Sequence, residues 1–230
     1  MVTDTCGMKT LELLRGLCQE GIETYAVLMR HSARHHDTAE NDLSLGLTEE
    51  GRRAAYEFGR ALPSDSFLQF FSSPVLRCVE TSELIDRGCL SNGGRTKHNG
   101  AVDPLSGFFA RNGPAVLQMA HDMAKAGRFP EFFRNWFDGR LPSSLIQDSR
   151  QASRALVHYL LGLIQGSGEK GSICITHDWH LVLLREYGLG QRPEEYGGHI
   201  EYLEGVILFV RGSNYYIVNH QREAKILRFP

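Results

Sequence analysis

Residues 27–36 read VLMRHSARHH, which places Arg30, His31, Arg34, His35 and His36 within seven residues. Like charges repel and a buried cation without a partner is costly, so such a cluster needs open water or an anion beside it. Two more basic groups follow apolar runs in the same manner, Arg77 after FLQFFSSPVL and His177 after GSICIT. Three guanidiniums and two imidazoles around one small space would repel each other unless a dianion sat among them. Phosphate is the obvious guest, because arginine's planar fork donates two parallel hydrogen bonds to phosphoryl oxygens.

A bound phosphoryl group still needs a reaction partner. The chain has no Walker glycine loop. A neutral imidazole is a competent nucleophile at pH 7, and its attack on phosphorus gives a phosphohistidine that water can later hydrolyse. The arginines would spread the charge developing on the phosphoryl oxygens. The leaving alkoxide needs a proton, and Asp178 stands directly after His177. It serves as an acid only where burial or the departing phosphate's charge favours its protonated form.

The elements that must position these groups alternate in type. Leu11, Leu14 and Leu17 recur at helical spacing before Gly21, which predicts a helix over 9–20 leading into a strand over 24–29. LTEEGRRAAYEFGRAL at 47–62 has Thr48 as N-cap, acids in its first turn and Pro63 past its end, so it reads as a helix. A strand over 67–73 precedes a helix that opens near Pro74. The stretch 88–100 is turn-rich with room for one short strand, 114–127 and 130–138 are helical and aromatic, and 147–164 is another helix. The strand ending at His177 is followed late in the chain by a hairpin turning at Gly212-Ser213-Asn214.

Strands alternating with helices predict a three-layer α/β/α sandwich with a mostly parallel central sheet, where ligands bind beyond the carboxyl ends of the strands. Arg30, His31, Arg34, Arg77 and His177 then converge on one rim if the first, second and penultimate strand-like elements are neighbours. The expected organisation is one domain over 1–230, with a small helical, cap-like insertion at about 104–146.

The bulk composition sets outer bounds. With 25 Lys and Arg against 27 Asp and Glu, and no long block of one sign, nothing points to nucleic acid or an anionic membrane surface as partner. Five irregularly spaced cysteines lack any Cys-x-x-Cys pair, which fits a reducing cytoplasm better than a disulfide framework or zinc ribbon. No segment has signal-peptide or membrane-spanning character. Oligomeric state is left open.

These residues resemble the histidine phosphatase superfamily, which includes phosphoglycerate mutases, acid phosphatases and phytases. The resemblance rests on RHSAR for its Arg-His-Gly signature, LTEEG for its helix start, SSPVLRCVETSELI for its second arginine segment and ITHDWH for its second histidine, in order over roughly 24–181. It implies a phosphoglycerate mutase-like fold, His31 as the phosphorylated nucleophile, Arg30, Arg34 and Arg77 as phosphate ligands, and His177 as a further ligand. It implies a hydrolase needing no metal or other cofactor, acting on a phosphorylated small molecule or protein side chain. Arg34 together with His177-Asp178 looks like the acid phosphatase and phytase branch, in which that aspartate donates the proton. In the mutase-like branch the donor is a glutamate after the second arginine segment, where this chain offers only Asp103.

Two positions depart from the pattern: Ser32 replaces the signature glycine and His36 the proline usual in the acid phosphatase branch. If the glycine position needs an unusual backbone angle, Ser32 is strained and catalysis is weak or absent. That departure motivates an alternative reading as a non-catalytic phosphate-binding module. A metal-dependent hydrolase is a further alternative, drawing on His31, His35, His177, Asp178 and His180 as ligands. His35, His36 and His180 either line the pocket or are solvated. Phe108, Phe109, Phe132, Phe133, Trp136 and Phe137 form either a lid or ordinary core.

Overall fold

The structure is a computed structural model and describes residues 7–35, 44–63, 67–107, 109–166 and 171–228. His36 and Phe108 lie outside the described residues. Among the described residues, seven strands form one sheet: β1 (Tyr25–Arg30), β2 (Phe67–Ser72), β3 (Arg95–Ala101), β4 (Gly171–Thr176), β5 (Gly205–Arg211), β6 (Asn214–Asn219) and β7 (Arg222–Ile226). Their order is β3-β2-β4-β1-β5-β6-β7. The first four are mutually parallel, and β5, β6 and β7 continue the sheet antiparallel. The sheet is therefore mixed, because the chain returns beside β1 in the opposite sense and then folds back through short turns. The strand β7 was not foreseen; its five residues are all exposed, so it lacks the apolar alternation that marks a half-buried strand.

Side chains alternate across the sheet and build two apolar layers. Tyr25, Val27 and Met29 face α1 (Met8–Gln19), α2 (Glu49–Arg60) and α3 (Leu76–Ser91). Ala26 and Leu28 belong to the opposite cluster, with α4 (Gly113–Lys125), α5 (Phe129–Phe137), α6 (Ser149–Gly166) and α7 (Asp178–Leu184). Phe132, Phe133, Trp136 and Phe137 are buried in that second cluster, so these aromatics are core. A last short helix, α8 (Pro193–Tyr196), precedes the return to β5. Since β4 pairs with both β2 and β1, the three strand ends that deliver basic groups are adjacent.

Candidate active site

His31 follows β1 directly and is 3% exposed. Its Nδ1 lies 2.7 Å from the Ser32 carbonyl oxygen, which can only accept, so Nδ1 carries the proton. Nε2 keeps its lone pair and accepts the Nε–H of Arg77 at 3.1 Å. The other arm of Arg77, Nη2, stands 3.4 Å from His177 Nδ1, which leaves His177 Nε2–H to donate to Ser73 Oγ at 3.0 Å. One guanidinium thus fixes the tautomers of two imidazoles whose ring centroids are 5.8 Å apart. Burial and the nearby arginines push both histidines toward the neutral form. The His31 value falls well below that of an ordinary histidine, and the His177 value falls to about 3.

Arg30 stands on the other side of His31. Its Nη1 donates to the Ile200 carbonyl, its Nη2 is 3.7 Å from Asp178 Oδ2, and its guanidinium lies over the Tyr202 ring at 4.3 Å. Arg30 Nε is buried with no hydrogen-bond partner. A buried donor without an acceptor is costly, and one among other basic groups suits an anion's oxygen. Arg34 is farther out, donating to the His35 carbonyl at 3.2 Å, yet its charge still contributes to lowering His177.

The loop that carries His31 is braced by the helix after it. Thr48 caps α2 by accepting the Gly51 N–H, and the Thr48 N–H donates to the Ala33 carbonyl at 3.0 Å. A Cβ at Gly51 would meet that same carbonyl oxygen at 2.0 Å, so only glycine allows this approach. Ser32 uses its hydroxyl here, donating to the Gly51 carbonyl at 2.8 Å, and its backbone lies outside the left-handed region. The strain expected at Ser32 is therefore absent: the substitution adds a hydrogen bond without a forced angle. Ser32 N–H also donates to Thr81 Oγ1, which in turn donates to the Arg77 carbonyl, tying the two motif segments together.

The remaining sequence candidates divide. Asp178 opens α7, accepts the Trp179 N–H at 3.0 Å and is 32% exposed, so it combines solvent access with its contact to Arg30. His35 is exposed, and its backbone N–H donates to the Gly46 carbonyl at 3.2 Å. His180 is buried, donating from Nδ1 to Thr176 Oγ1 at 2.7 Å while packing edge-on against Phe109. Among the described residues, no three His, Cys, Asp or Glu side chains group so as to hold a metal ion. The run CLSNGGR spaces Cys89 and Arg95 as in cysteine phosphatases, but Cys89 is buried in the last turns of α3, where burial raises its thiol pKa. Sequence reasoning missed Thr81, Ile200 and Tyr202, whose ring centroid is 5.9 Å from that of His31.

Residues 26–92 match the family model of the histidine phosphatase superfamily (branch 1). The fold is phosphoglycerate mutase-like. Phosphoglycerate mutase from Bacillus anthracis superposes with a TM-score of 0.55 at 15% identity, over 87% of this chain and 94% of that one. YhfR from Bacillus stearothermophilus gives 0.55 at 16%, over 86% and 100%. Phosphoserine phosphatase from Entamoeba histolytica, in complex with phosphoserine, gives 0.51 at 13%, over 85% and 95%. No curated protein matches the chain. The superfamily match is to branch 1, whereas His177-Asp178 suggested the acid phosphatase branch, so Asp178 has to be judged on its own position. The loop after β3 presents Gly107, not a carboxylate, to His177: a Cβ there would lie 3.2 Å from His177 Cδ2.

Proposed function

We propose that this protein is a metal-independent phosphatase, hydrolysing a phosphomonoester or phosphorylated protein side chain through a phosphohistidine on His31. The observation that carries this reading is the His31 tautomer, with Nδ1–H held by a carbonyl and the Nε2 lone pair facing the arginines. In the first step Arg77 Nε–H passes from His31 Nε2 to a phosphoryl oxygen, the freed Nε2 lone pair attacks phosphorus, and the bond to the ester oxygen breaks. Asp178 gives its proton to the departing alkoxide. In the second step water attacks phosphorus, Asp178 takes its proton, and the N–P bond returns its electrons to Nε2. Arg30, Arg77 and Arg34 hold the phosphoryl oxygens, with His177 as a further ligand.

Asp178 is favoured over Asp103 as donor, because it contacts Arg30 whereas Asp103 is exposed beside a separate cleft. Residues of about 104–146 are read as a helical insertion within a single domain. Cys78, Cys89 and Cys174 are buried free thiols, which fits action in the cytoplasm.

The test is phosphate release from an aryl phosphate with excess chelator, between about pH 4 and 8, for wild type and His31→Ala. Chelator-resistant release that disappears in the variant, with a phosphohistidine trapped in wild type alone, is the expected result. Release that persists in His31→Ala, or that stops with chelator, would overturn it. Tight phosphate binding without turnover would favour the binding-module alternative, although Ser32, its motive, sits unstrained.

A further inference from the structure

A second cluster of charge is buried in the fold and has no part in the proposed reaction. Arg185 directly follows α7, at the start of a single π turn (Arg185–Leu189), and is 0% exposed. Its Nη2 donates to Glu204 Oε1, and its guanidinium lies 4.7 Å from the centre of the Tyr196 ring. His220 Nδ1 stands 3.5 Å from the same carboxylate oxygen. Arg185 Nε has no hydrogen-bond partner among the described residues. A buried ion pair that leaves one donor unmatched is a poor source of stability, because desolvating the two charges offsets most of their attraction. Its effect lies in the backbone that it holds.

Glu204 braces the turn that flanks the phosphate pocket. Its second oxygen, Oε2, accepts the Glu201 N–H at 2.8 Å, and its backbone carbonyl accepts the Arg30 N–H at 3.0 Å. The same turn presents the Ile200 carbonyl to Arg30 Nη1 and the Tyr202 ring to the Arg30 guanidinium. Leu203, fully buried, takes φ +58, the one positive φ at a non-glycine residue among those described. A bulky residue is strained there and stays so only where its surroundings over-determine the backbone. Thr10 Oγ1 completes the clamp, donating to the Leu203 carbonyl at 3.1 Å and accepting the Gly205 N–H at 3.0 Å. A strained turn is thus gripped from two sides, and Arg30 rests on it.

Building on the phosphatase reading, we propose that Arg185 and Glu204 are positioning residues, whose ion pair fixes the 200–204 turn and through it the Arg30 guanidinium that receives the phosphoryl group. Arg185 also continues the helix that Asp178 opens, so the pair links the two sides of the Arg30–Asp178 contact. The test position is the pair as a whole. Arg185→Met with Glu204→Leu removes both charges together and leaves neither buried alone, which preserves the fold where a single replacement would not.

Two readouts are taken on the full chain: inorganic phosphate binding by calorimetry, and rotation of the Arg30 guanidinium by NMR with isotope-labelled arginine and no ligand. The double variant is expected to bind phosphate roughly ten-fold more weakly and to free a rotation that is slow in wild type. Arg30→Ala should weaken phosphate binding roughly a hundred-fold in wild type but only about ten-fold in the double variant, because both act through one guanidinium. Leu17→Ala, a cavity in the last turn of α1, should lower the melting temperature and leave phosphate affinity at the wild-type value. Arg185→Met with Glu204→Gln keeps an acceptor for the Glu201 N–H and decides the matter if the first variant does not fold; a loss of about three-fold is expected of it. Unchanged affinity with Arg30 rotation still slow, losses that multiply with Arg30→Ala, or an equal loss in Leu17→Ala would each overturn the proposal. A wild type that binds no phosphate, with Arg30 rotation freed by the double variant, would support the positioning role and count against the phosphatase reading alone.

Discussion

The pocket around His31 and the cleft lined by Gly107 share one rim of the sheet, yet their side chains are held in opposite ways. In the pocket, His31, Ser32, Arg77, Thr81, Ser73 and His177 form a continuous chain of hydrogen bonds linking β1, α3 and β4. Each tautomer and each arginine edge follows from its neighbour, so the arrangement is set before any substrate arrives. In the cleft, Asp103, Ser106 and His158 make no side-chain hydrogen bond or ion pair with another described residue. The contrast separates a set of groups that fix one another from a lining whose polar side chains can be substituted without disturbing that set.

The contrast breaks most sharply at Arg77, which spans both imidazoles. Arg77→Ala should lower kcat/KM for every phosphate ester by roughly a hundred- to a thousand-fold, independent of leaving group. A loss confined to some esters would mean that Arg77 belongs to selection instead. Asp178→Asn should reduce turnover by roughly a hundred-fold for alkyl esters and much less for aryl esters whose alkoxide leaves unaided. Steady-state rates plotted against leaving-group pKa would show this as a steeper slope in the variant. A parallel shift for all esters would remove Asp178 from the donor role.

A smaller effect is expected at Tyr202, whose ring lies under the Arg30 guanidinium. Tyr202→Phe should keep near-normal phosphate inhibition, whereas Tyr202→Leu should weaken it about five-fold through loss of the ring's contact with the guanidinium. Identical constants for the two variants would show that the ring does not position Arg30.

The mildest prediction concerns pH. His177 and His180 have pKa values near 3 in the folded protein, His220 near 4, and His31 is also lowered, all mainly through burial. Below about pH 6.5 the unfolded chain takes up protons that the folded chain refuses, so stability falls as pH drops from there toward the folded values. Melting temperatures between about pH 7.5 and 5 should decline accordingly. Saturating phosphate should flatten that decline, since a bound dianion favours protonated His31 and His177. A slope unaffected by phosphate would place the titrating groups outside the pocket.

Much of the site was legible because its residues follow strand ends. β1, β2 and β4 announce themselves by apolar β-rich runs, and the basic groups come directly after them. The Thr48 cap and Gly51 were equally visible as letters, but the reason for the glycine, a carbonyl 2.0 Å from where its Cβ would be, was not. Tyr202 was invisible, because it reaches Arg30 from a turn some 170 positions along the chain. There Leu203 adopts a left-handed angle and the buried Arg185–Glu204 pair holds the connection to β5.

The sequence by itself determined that basic residues follow the ends of three apolar strands and which elements present them, since periodicity, caps and turn residues are local properties of the chain. Only the tertiary structure decided that β4 lies between β2 and β1, which nitrogen of His31 bears the proton, that Ser32 is unstrained, and that His35 is exposed. The physical reason is that these depend on groups far apart in the chain but near in space: strand pairing, a carbonyl's position and the packing of one backbone against another.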